Sequence, residues 1–203
     1  MEQHLEAVLA AQPLWCVRGI SSTPGGDQQD GACRSVLRQH RGACPCLGSG
    51  GKKGQQNQAL GRSRGGFSTK IHLKTDLDGN PLDFHLTGGE VSDTTQFEIS
   101  LDLGPDITPR VAITDKGYDS RPNREAARAR GVTPVIPRRE NSKERGRFFP
   151  KKLYKLRARI EQTMGKLKRF KRIALRCDKT KESFTALTSF ACCVMLIKSV
   201  HTA

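Results

Sequence analysis

The chain has 203 residues, enough for one ordinary domain with an extension, and 35% hydrophobic and 5% aromatic content predicts a modest core. A formal net charge of +15 indicates a polyanionic partner, of which nucleic acid is the commonest and an anionic membrane surface the second. We find no apolar stretch long enough to span a bilayer and no signal-peptide pattern, so we expect a cytoplasmic protein with no membrane partner and with reduced cysteines.

The first fifty residues differ in composition from the rest. They contain as many acids as bases and no Lys, so the whole positive excess falls in residues 51–203. Met1–Ala11 has the pattern of a short helix, but Gln12–Gly51 has no usable periodicity. We therefore expect a disordered or irregular segment over residues 1–50 and a folded domain over 51–203. A zinc site is a weaker interpretation than incidental thiols for the ligand-type residues Cys33, His40, Cys44 and Cys46, because their spacing is poor.

Two strands are predicted after a basic, Gly-rich stretch. Gly51–Gly66 is either a flexible linker or a phosphate-contacting loop. Apolar and polar residues alternate over Phe67–Thr75, which predicts a half-buried strand. Turn residues precede a second strand over Leu82–Thr87, so the two should form a hairpin. His72 and His85 lie on these strands, and we expect them to be a polar pair on the exposed face.

The middle of the chain predicts a strand that ends in a carboxylate. Ser92 begins a short helical segment, and Val111–Thr114 is predicted to be a buried strand followed directly by Asp115. In open α/β sheets ligands bind at the carboxyl ends of strands, so Asp115 is well placed for chemistry. Asp119 fits better as a turn residue that caps the next segment. A helix over residues 123–130 and a strand over 133–137 should follow.

Two helices complete the predicted elements. Lys151–Arg172 has an apolar stripe at helical spacing and a lone internal acid, Glu161. Glu161 is either a solvated partner of Arg157 or Arg159, or a metal-binding acid on a helix whose cations hold a polyanion. Lys181–Val200 is strongly apolar, and we expect core positions for Cys192, Cys193 and Met195.

Several motifs together resemble one family. Y-x-x-R-x-x-x-E-x-x-x-x-x-x-K, formed by Tyr154, Arg157, Glu161 and Lys168, is similar to the signature of IS4/IS5-superfamily insertion-sequence transposases. A-I-T-D-K-G-Y-D-S around Asp115 resembles the segment of their second catalytic acid. A-L-G-R-S-R-G-G-F-S-T-K-I-H-L, F-H-L-T-G-G and the terminal I-K-S-V-H-T-A are similar to the IS5 branch.

The resemblance implies a fold, a site and partners. The fold would be α/β, with a ribonuclease-H-like mixed sheet flanked by helices. Asp115 and Glu161 would be catalytic acids that bind Mg²⁺ or Mn²⁺. The partner would be double-stranded DNA, both element ends and target, bound in the bacterial cytoplasm and nucleoid by a chain that could form a homo-oligomer. The expected DNA-binding residues are Tyr154, Arg157, Lys168, Lys166, Arg169, Arg62 and Arg64.

The resemblance fails at the first catalytic acid. The family carries this Asp on an upstream strand in a pattern like D-S-T-x-V-R-A-H, but this chain has L-R-Q-H-R-G-A-C-P-C-L at Leu37–Leu47. Permitted codons for that stretch give F-D-S-T-V-V-R-A-H in a shifted frame, which suggests a truncated or frameshifted N-terminus. We therefore expect a transposase with impaired DNA cleavage and strand transfer. The alternative is a catalytically inactive DNA-binding remnant.

Overall fold

The structure is a computed structural model that describes residues 14–22, 58–63, 66–104, 108–139 and 149–201. The predictions for the helix over Met1–Ala11, for the four zinc-ligand candidates and for Arg64 lie outside the described residues. Contacts group the chain into two compact units. The first draws on Met1–Arg18, His72–Phe84 and Ser92–Thr163, and the second on Gly19–Ile71, His85–Val91 and Met164–Ala203.

The described residues include a six-stranded mixed sheet, as the α/β prediction requires. Its strands are β1 (Leu14–Ser22), β2 (Gly61–Ser63), β3 (Gly66–Thr75), β4 (Pro81–Gly88), β5 (Val111–Thr114) and β6 (Thr133–Val135). The order is β2-β3-β1-β5-β6, and β4 pairs with β3. β1 and β6 run parallel to β5 on either side of it, whereas β2 is antiparallel to β3.

The helical elements alternate with the later strands. The α-helices are α1 (Phe97–Asp102), α2 (Arg121–Ala129), α3 (Lys151–Tyr154), α4 (Arg157–Lys168), α5 (Lys171–Ala174) and α6 (Lys181–His201). Short 3-10 segments occupy Asp93–Gln96 and Lys116–Tyr118. The Ser120 hydroxyl accepts a hydrogen bond from the Asn123 backbone N–H, so α2 begins earlier than predicted. Gly131, at φ +73°, follows the end of α2 as expected.

Each unit has its own buried apolar residues. In the first, α1, α2 and β5 enclose a core that consists of Phe97, Leu101, Ala112, Tyr118, Ala127, Val132 and Ile136. All four residues of β5 are buried, as expected for a short β-branched strand between two parallel neighbours. In the second, Phe184 and Ala191 of α6 are fully buried. The burial of β5 fixes the position at which the chain emerges with Asp115.

Three predictions for the N-terminal half are wrong. The segment expected to be irregular contains the nine-residue strand β1, whose β-forming residues pair with β5 although they show no alternation. β3 is not half-buried, because every residue from Ile71 to Thr75 is buried on both faces. His72 is therefore buried and is not part of an exposed polar pair. The predicted pairing of β3 with β4 is confirmed.

The predicted helix over Lys151–Arg172 is divided into α3, α4 and α5. Backbone bonds tighten to a three-residue spacing between α3 and α4, as in Ala158 N–H to Lys155 C=O (3.0 Å), and again after α4. The tightened turns coincide with like charges four residues apart, Lys151 with Lys155 and Lys168 with Arg172, which weaken a continuous helix. The predicted apolar stripe is nevertheless buried at Leu153, Ile160, Met164 and Leu167.

α6 is more exposed than its composition suggests. Phe184, Thr188, Ala191 and Cys192 form one buried stripe, but Phe190 is 63% exposed and Val200 is 74% exposed. Cys193 is also exposed, so its predicted core position is wrong. By length and composition α6 could cross a membrane, contrary to our sequence prediction, although core helices of soluble proteins pass the same test.

Candidate acidic site at the end of strand β5

Asp115 stands where β5 leaves the sheet. It takes an extended conformation (φ −71°, ψ 160°) and precedes the 3-10 turn Lys116–Tyr118 without a side-chain capping bond to that turn. Its backbone oxygen accepts a hydrogen bond from the Tyr118 N–H at 3.0 Å. The carboxylate is thus directed to interactions other than capping, as the sequence predicts.

The turn after Asp115 is anchored by buried polar contacts. Tyr118 is fully buried, and its hydroxyl lies 3.0 Å from Nδ1 of His72 on β3. Asn123 Nδ2 donates to the backbone oxygen of Tyr118 at 3.0 Å. These bonds connect β3, the turn and α2. They restrict the backbone that carries Asp115, which is the role we assign to His72.

Asp119 lies in the turn, as predicted, but the side chain that caps the next helix, α2, is that of Ser120. Arg124 Nη2 donates to its Oδ1 at 2.6 Å, and the Arg139 backbone N–H donates to its Oδ2 at 2.8 Å. Both oxygens therefore hold neighbouring segments together. Arg139 also donates to the Gly117 backbone oxygen at 3.1 Å. Sequence reasoning missed Arg139, because no spacing rule connects it with the turn that it stabilises.

Arg157, at the start of α4, joins Asp115 to Glu161. Its Nη1 is paired with Asp115 Oδ1, and its Nη2 lies 2.8 Å from Glu161 Oε1. Glu161 therefore has the predicted partner one helical turn away. The same guanidinium also pairs with the strand-end acid, which no sequence spacing could show. The two proposed catalytic acids consequently meet at one side chain.

Aromatic rings flank this arginine. The Arg157 guanidinium carbon lies 5.5 Å from the centre of the Tyr154 ring, within range of a cation–π contact. Phe149 packs against Tyr154 with ring centres 5.2 Å apart. Burial lowers the pKa of Arg157, but the charges of Asp115, Tyr154 and Glu161 outweigh burial and raise the pKa above its ordinary value. Arg157 is therefore charged at neutral pH.

The two acids could supply some, but not all, of the ligands that a hard divalent cation needs. Asp115 and Glu161 supply carboxylate oxygens, the ligand type that Mg²⁺ and Mn²⁺ prefer, and both side chains are partly exposed. Within the described residues, however, no group of three or more His, Cys, Asp or Glu side chains could hold a metal ion. The residues present thus fit a metal with two protein ligands.

Strand β1, one of the two neighbours of β5, contains no acidic residue. β1 pairs with β5 in parallel, with Val17 opposite Thr114, so Arg18 follows Val17 as Asp115 follows Thr114. The sequence of β1, L-W-C-V-R-G-I-S-S, contains neither Asp nor Glu. A third carboxylate at this end of the sheet cannot come from the neighbouring strand.

The remaining predicted DNA-binding residues lie in the second unit. Lys166 and Lys168 are exposed on the last turn of α4, and Arg169 is exposed just after it. Arg62 is exposed on β2, within the stretch predicted to be a linker or a phosphate loop. All four are accessible to a polyanion.

A strand-end acid and a helix acid on a mixed α/β sheet are features of DDE-type polynucleotidyl transferases. The chain matches the family described as "Transposase DDE domain" over residues 34–196, and it belongs to that family.

The chain is 35% identical over 136 residues to a protein named as a transposase for insertion sequence element IS402 of Burkholderia cepacia, a match that covers 63% of this chain and 62% of that protein. It is 33% identical over 136 residues to one named for element IS6501 of Brucella ovis, covering 65% of this chain and 100% of that protein. The chain thus spans less than two thirds of the IS402 relative.

Proposed function

We propose that this protein is a transposase of an IS5-type insertion sequence, with a ribonuclease-H-like catalytic domain and impaired activity. The observation that carries the proposal is the pairing of Arg157 with both Asp115 and Glu161, which brings together the acids of two separate family motifs. A sheet with parallel β1, β5 and β6 beside the antiparallel β2–β3 pair supports the ribonuclease-H-like assignment.

Asp115 and Glu161 would hold the divalent cation, Mg²⁺ or Mn²⁺. When bound, such ions activate a water or a 3′-hydroxyl and stabilise the leaving oxygen in phosphodiester cleavage and strand transfer. The chain's own groups orient the reaction: Arg157 and Tyr154 lie beside the acids and would position a DNA phosphate. Exposed Lys166, Lys168, Arg169 and Arg62, together with Arg64, would neutralise the backbone of element-end and target DNA.

The impairment follows from the missing first acid. Relatives carry it on a strand upstream of the Gly-rich loop, at the place that Leu37–Leu47 occupies here, and β1, a parallel neighbour of β5, contains no carboxylate that could replace it. We propose that residues 1–50 are an altered N-terminal segment, frameshifted or truncated, ahead of a catalytic domain over 51–203. The family match begins at residue 34, so sequencing the gene across the codons for Leu37–Leu47 decides between a shifted and a divergent frame. A codon for Gln39 or His40 that is incompatible with the shifted frame ends the frameshift idea.

A second candidate function is that of a DNA-binding transposase remnant without catalysis. The absence of an acid from β1 favours it, because a two-metal site short of one ligand binds metal poorly. Either protein would act on DNA in the bacterial cytoplasm, and a homo-oligomer would let one assembly hold two element ends.

The test is strand cleavage of an element-end duplex with Mg²⁺ or Mn²⁺, with Glu161→Gln as the matched control. We expect no cleavage above the control. Arg18→Asp returns a carboxylate to the register position beside Asp115, and we expect this variant to gain metal-dependent nicking that Glu161→Gln abolishes. Wild-type cleavage that disappears in the control would instead mean that another residue, such as Asp27 or Asp30, supplies the first ligand. Equal affinity for element-end and scrambled duplexes would count against a transposase.

A further inference from the structure

We propose that Arg157 is a positioning residue whose guanidinium holds Asp115 and Glu161 in place and must leave both carboxylates before a divalent cation can bind them. The inference rests on the proposed function, because it requires these two acids to be the metal ligands. It goes beyond that function because it makes the arginine a competitor of the metal for the two carboxylates.

The geometry places one guanidinium in contact with two carboxylates from separate elements. Different nitrogens of the guanidinium contact Asp115 and Glu161, which belong to a strand end and a helix. A planar guanidinium can bridge two carboxylates in this way, whereas a lysine ammonium is a point charge on a flexible stem. The Arg157 and Asp115 side chains are only 24% and 26% exposed, so solvent weakens this pairing little.

The guanidinium and a bound metal would use the same carboxylate oxygens. Arg157 is bound to Oδ1 of Asp115 and Oε1 of Glu161, so a metal that used these two oxygens would compete with its N–H groups for them. Mg²⁺ binds oxygen at about 2.1 Å, which would bring a dication close to a fixed guanidinium charge. Repulsion between the cations makes the two arrangements mutually exclusive.

A nearby aromatic surface can retain the displaced guanidinium. The Tyr154 ring centre is 5.5 Å from the guanidinium carbon, and Phe149 packs against that ring. Cation–π attraction is compatible with a guanidinium that has left the carboxylates. Arg157 would then stay beside the acids, with its donors turned to another anion.

The test is direct Mn²⁺ binding to the full chain, measured as loss of the free-Mn²⁺ electron paramagnetic resonance signal. Arg157→Gln removes the competing charge, and Arg159→Gln removes an exposed charge from the same helix. We expect Arg157→Gln to bind Mn²⁺ about tenfold more tightly than wild type, which corresponds to about 1.4 kcal/mol. Arg159→Gln should stay within about twofold of wild type. Equal or weaker binding by Arg157→Gln than by Arg159→Gln would overturn the inference.

A further pair of variants separates this inference from the proposed function. Glu161→Gln in the Arg157→Gln background should remove the increase in affinity, because the metal then loses a ligand. If Glu161→Gln weakens Mn²⁺ binding but Arg157→Gln does not strengthen it, the metal site stands and the competition is refuted. If neither change alters binding, both proposals fail. Should Arg157→Gln not fold by circular dichroism, Arg157→Met, which also removes the charge, takes its place, and binding no tighter than wild type would refute the competition.

Discussion

At the scale of single residues, Arg176 makes an extensive set of polar interactions that the sequence does not predict. It is 4% exposed and has a left-handed backbone conformation, with φ at +49°. Its guanidinium donates to the Thr69 hydroxyl at 2.9 Å and the Gln58 backbone oxygen at 3.0 Å, and it lies 4.3 Å above the Phe184 ring. Burial lowers the pKa of Arg176, with the charge of Asp178 opposing this effect. One cation therefore connects distant segments of the second unit.

We expect Arg176→Met to destabilise the protein by about 2–4 kcal/mol, because it leaves buried acceptors without their charged donor. The matched control is Arg172→Met, which removes an exposed arginine that pairs with Asp178 at 2.8 Å. This change should cost at most about 1 kcal/mol. Urea unfolding of both variants measures the difference. Equal losses of stability would show that burial adds nothing at Arg176.

Lys74 gives the stability a pH dependence. It is 1% exposed, and its ammonium group donates to the backbone oxygens of Leu101, at 2.8 Å, and Leu103. Burial lowers its pKa from 10.5 to about 8, although the charges of Asp83 and Asp102 act in the opposite direction. Below pH 8 the folded state must hold a charged buried amine.

Between pH 8 and 10.5 the folded protein loses the Lys74 proton while the unfolded chain keeps it. The unfolded state then binds more protons, so this residue's contribution to stability rises with pH across that window. We expect the unfolding free energy of wild type minus that of Lys74→Met to increase from pH 8 towards pH 10.5. Urea unfolding of both proteins across this range is the measurement, and a constant difference would contradict it.

At the scale of elements, the β3–β4 turn is fitted closely to α4. Gly79 has φ +87°, and the Thr163 hydroxyl donates to its backbone oxygen at 2.5 Å. A Cβ at Gly79 would lie 2.8 Å from Thr163 Oγ1 and 3.2 Å from the Arg159 backbone oxygen. The turn thus contacts the helix that carries Glu161.

Gly131 is the matched control for Gly79, because its φ is +73° and a Cβ there would meet no heavy atom of the described residues within 4 Å. Alanine at Gly131 should cost about 1–2 kcal/mol through backbone strain alone. Alanine at Gly79 should cost about 1–3 kcal/mol more, since it also displaces α4. Thermal and urea unfolding measure both costs. Equal losses of stability would show that α4 can shift to accommodate the added Cβ without destabilising the protein.

At the scale of the whole molecule, the excess of positive charge would govern the proposed interaction with DNA. The interval from Arg138 to Glu182 contains 18 basic residues and five acids. Lys166, Lys168 and Arg169 are exposed, so they can contact a DNA backbone without a rearrangement of the protein. Counterion release then makes affinity fall steeply with salt.

We expect glutamine at Lys166, Lys168 and Arg169 together to reduce the slope of log affinity against log salt by about 0.9 for each DNA phosphate that these cations neutralise. The control replaces three exposed cations outside the interval from Arg138 to Glu182, namely Arg110, Arg128 and Lys198, and changes net charge equally. Its slope should change by less than that of the first set. Fluorescence anisotropy with a labelled duplex measures both slopes. Identical slopes would mean that net charge alone controls binding.

Periodicity and turn chemistry were sufficient for much of the fold. Val111–Thr114 forms the predicted strand because four apolar or β-branched residues are bounded by turn residues, and α6 begins at the predicted Lys181. β1 could not be predicted, because its residues do not alternate and only pairing with neighbouring strands of the sheet makes them a strand. The interruptions of the basic helix coincide with pairs of like charges four residues apart, which an apolar stripe does not reveal.

Local pattern was enough to identify the family motifs and the excess of positive charge, and to place Asp115 after a strand and Glu161 on a helix. Three further features became visible only in the folded chain: Arg157 binds both acids, His72 supports the turn through Tyr118, and Arg18 follows the residue of β1 that pairs with Thr114. Most of these interactions join residues far apart in the chain. Their energy depends on distance and burial in the folded state, which no spacing along the sequence encodes.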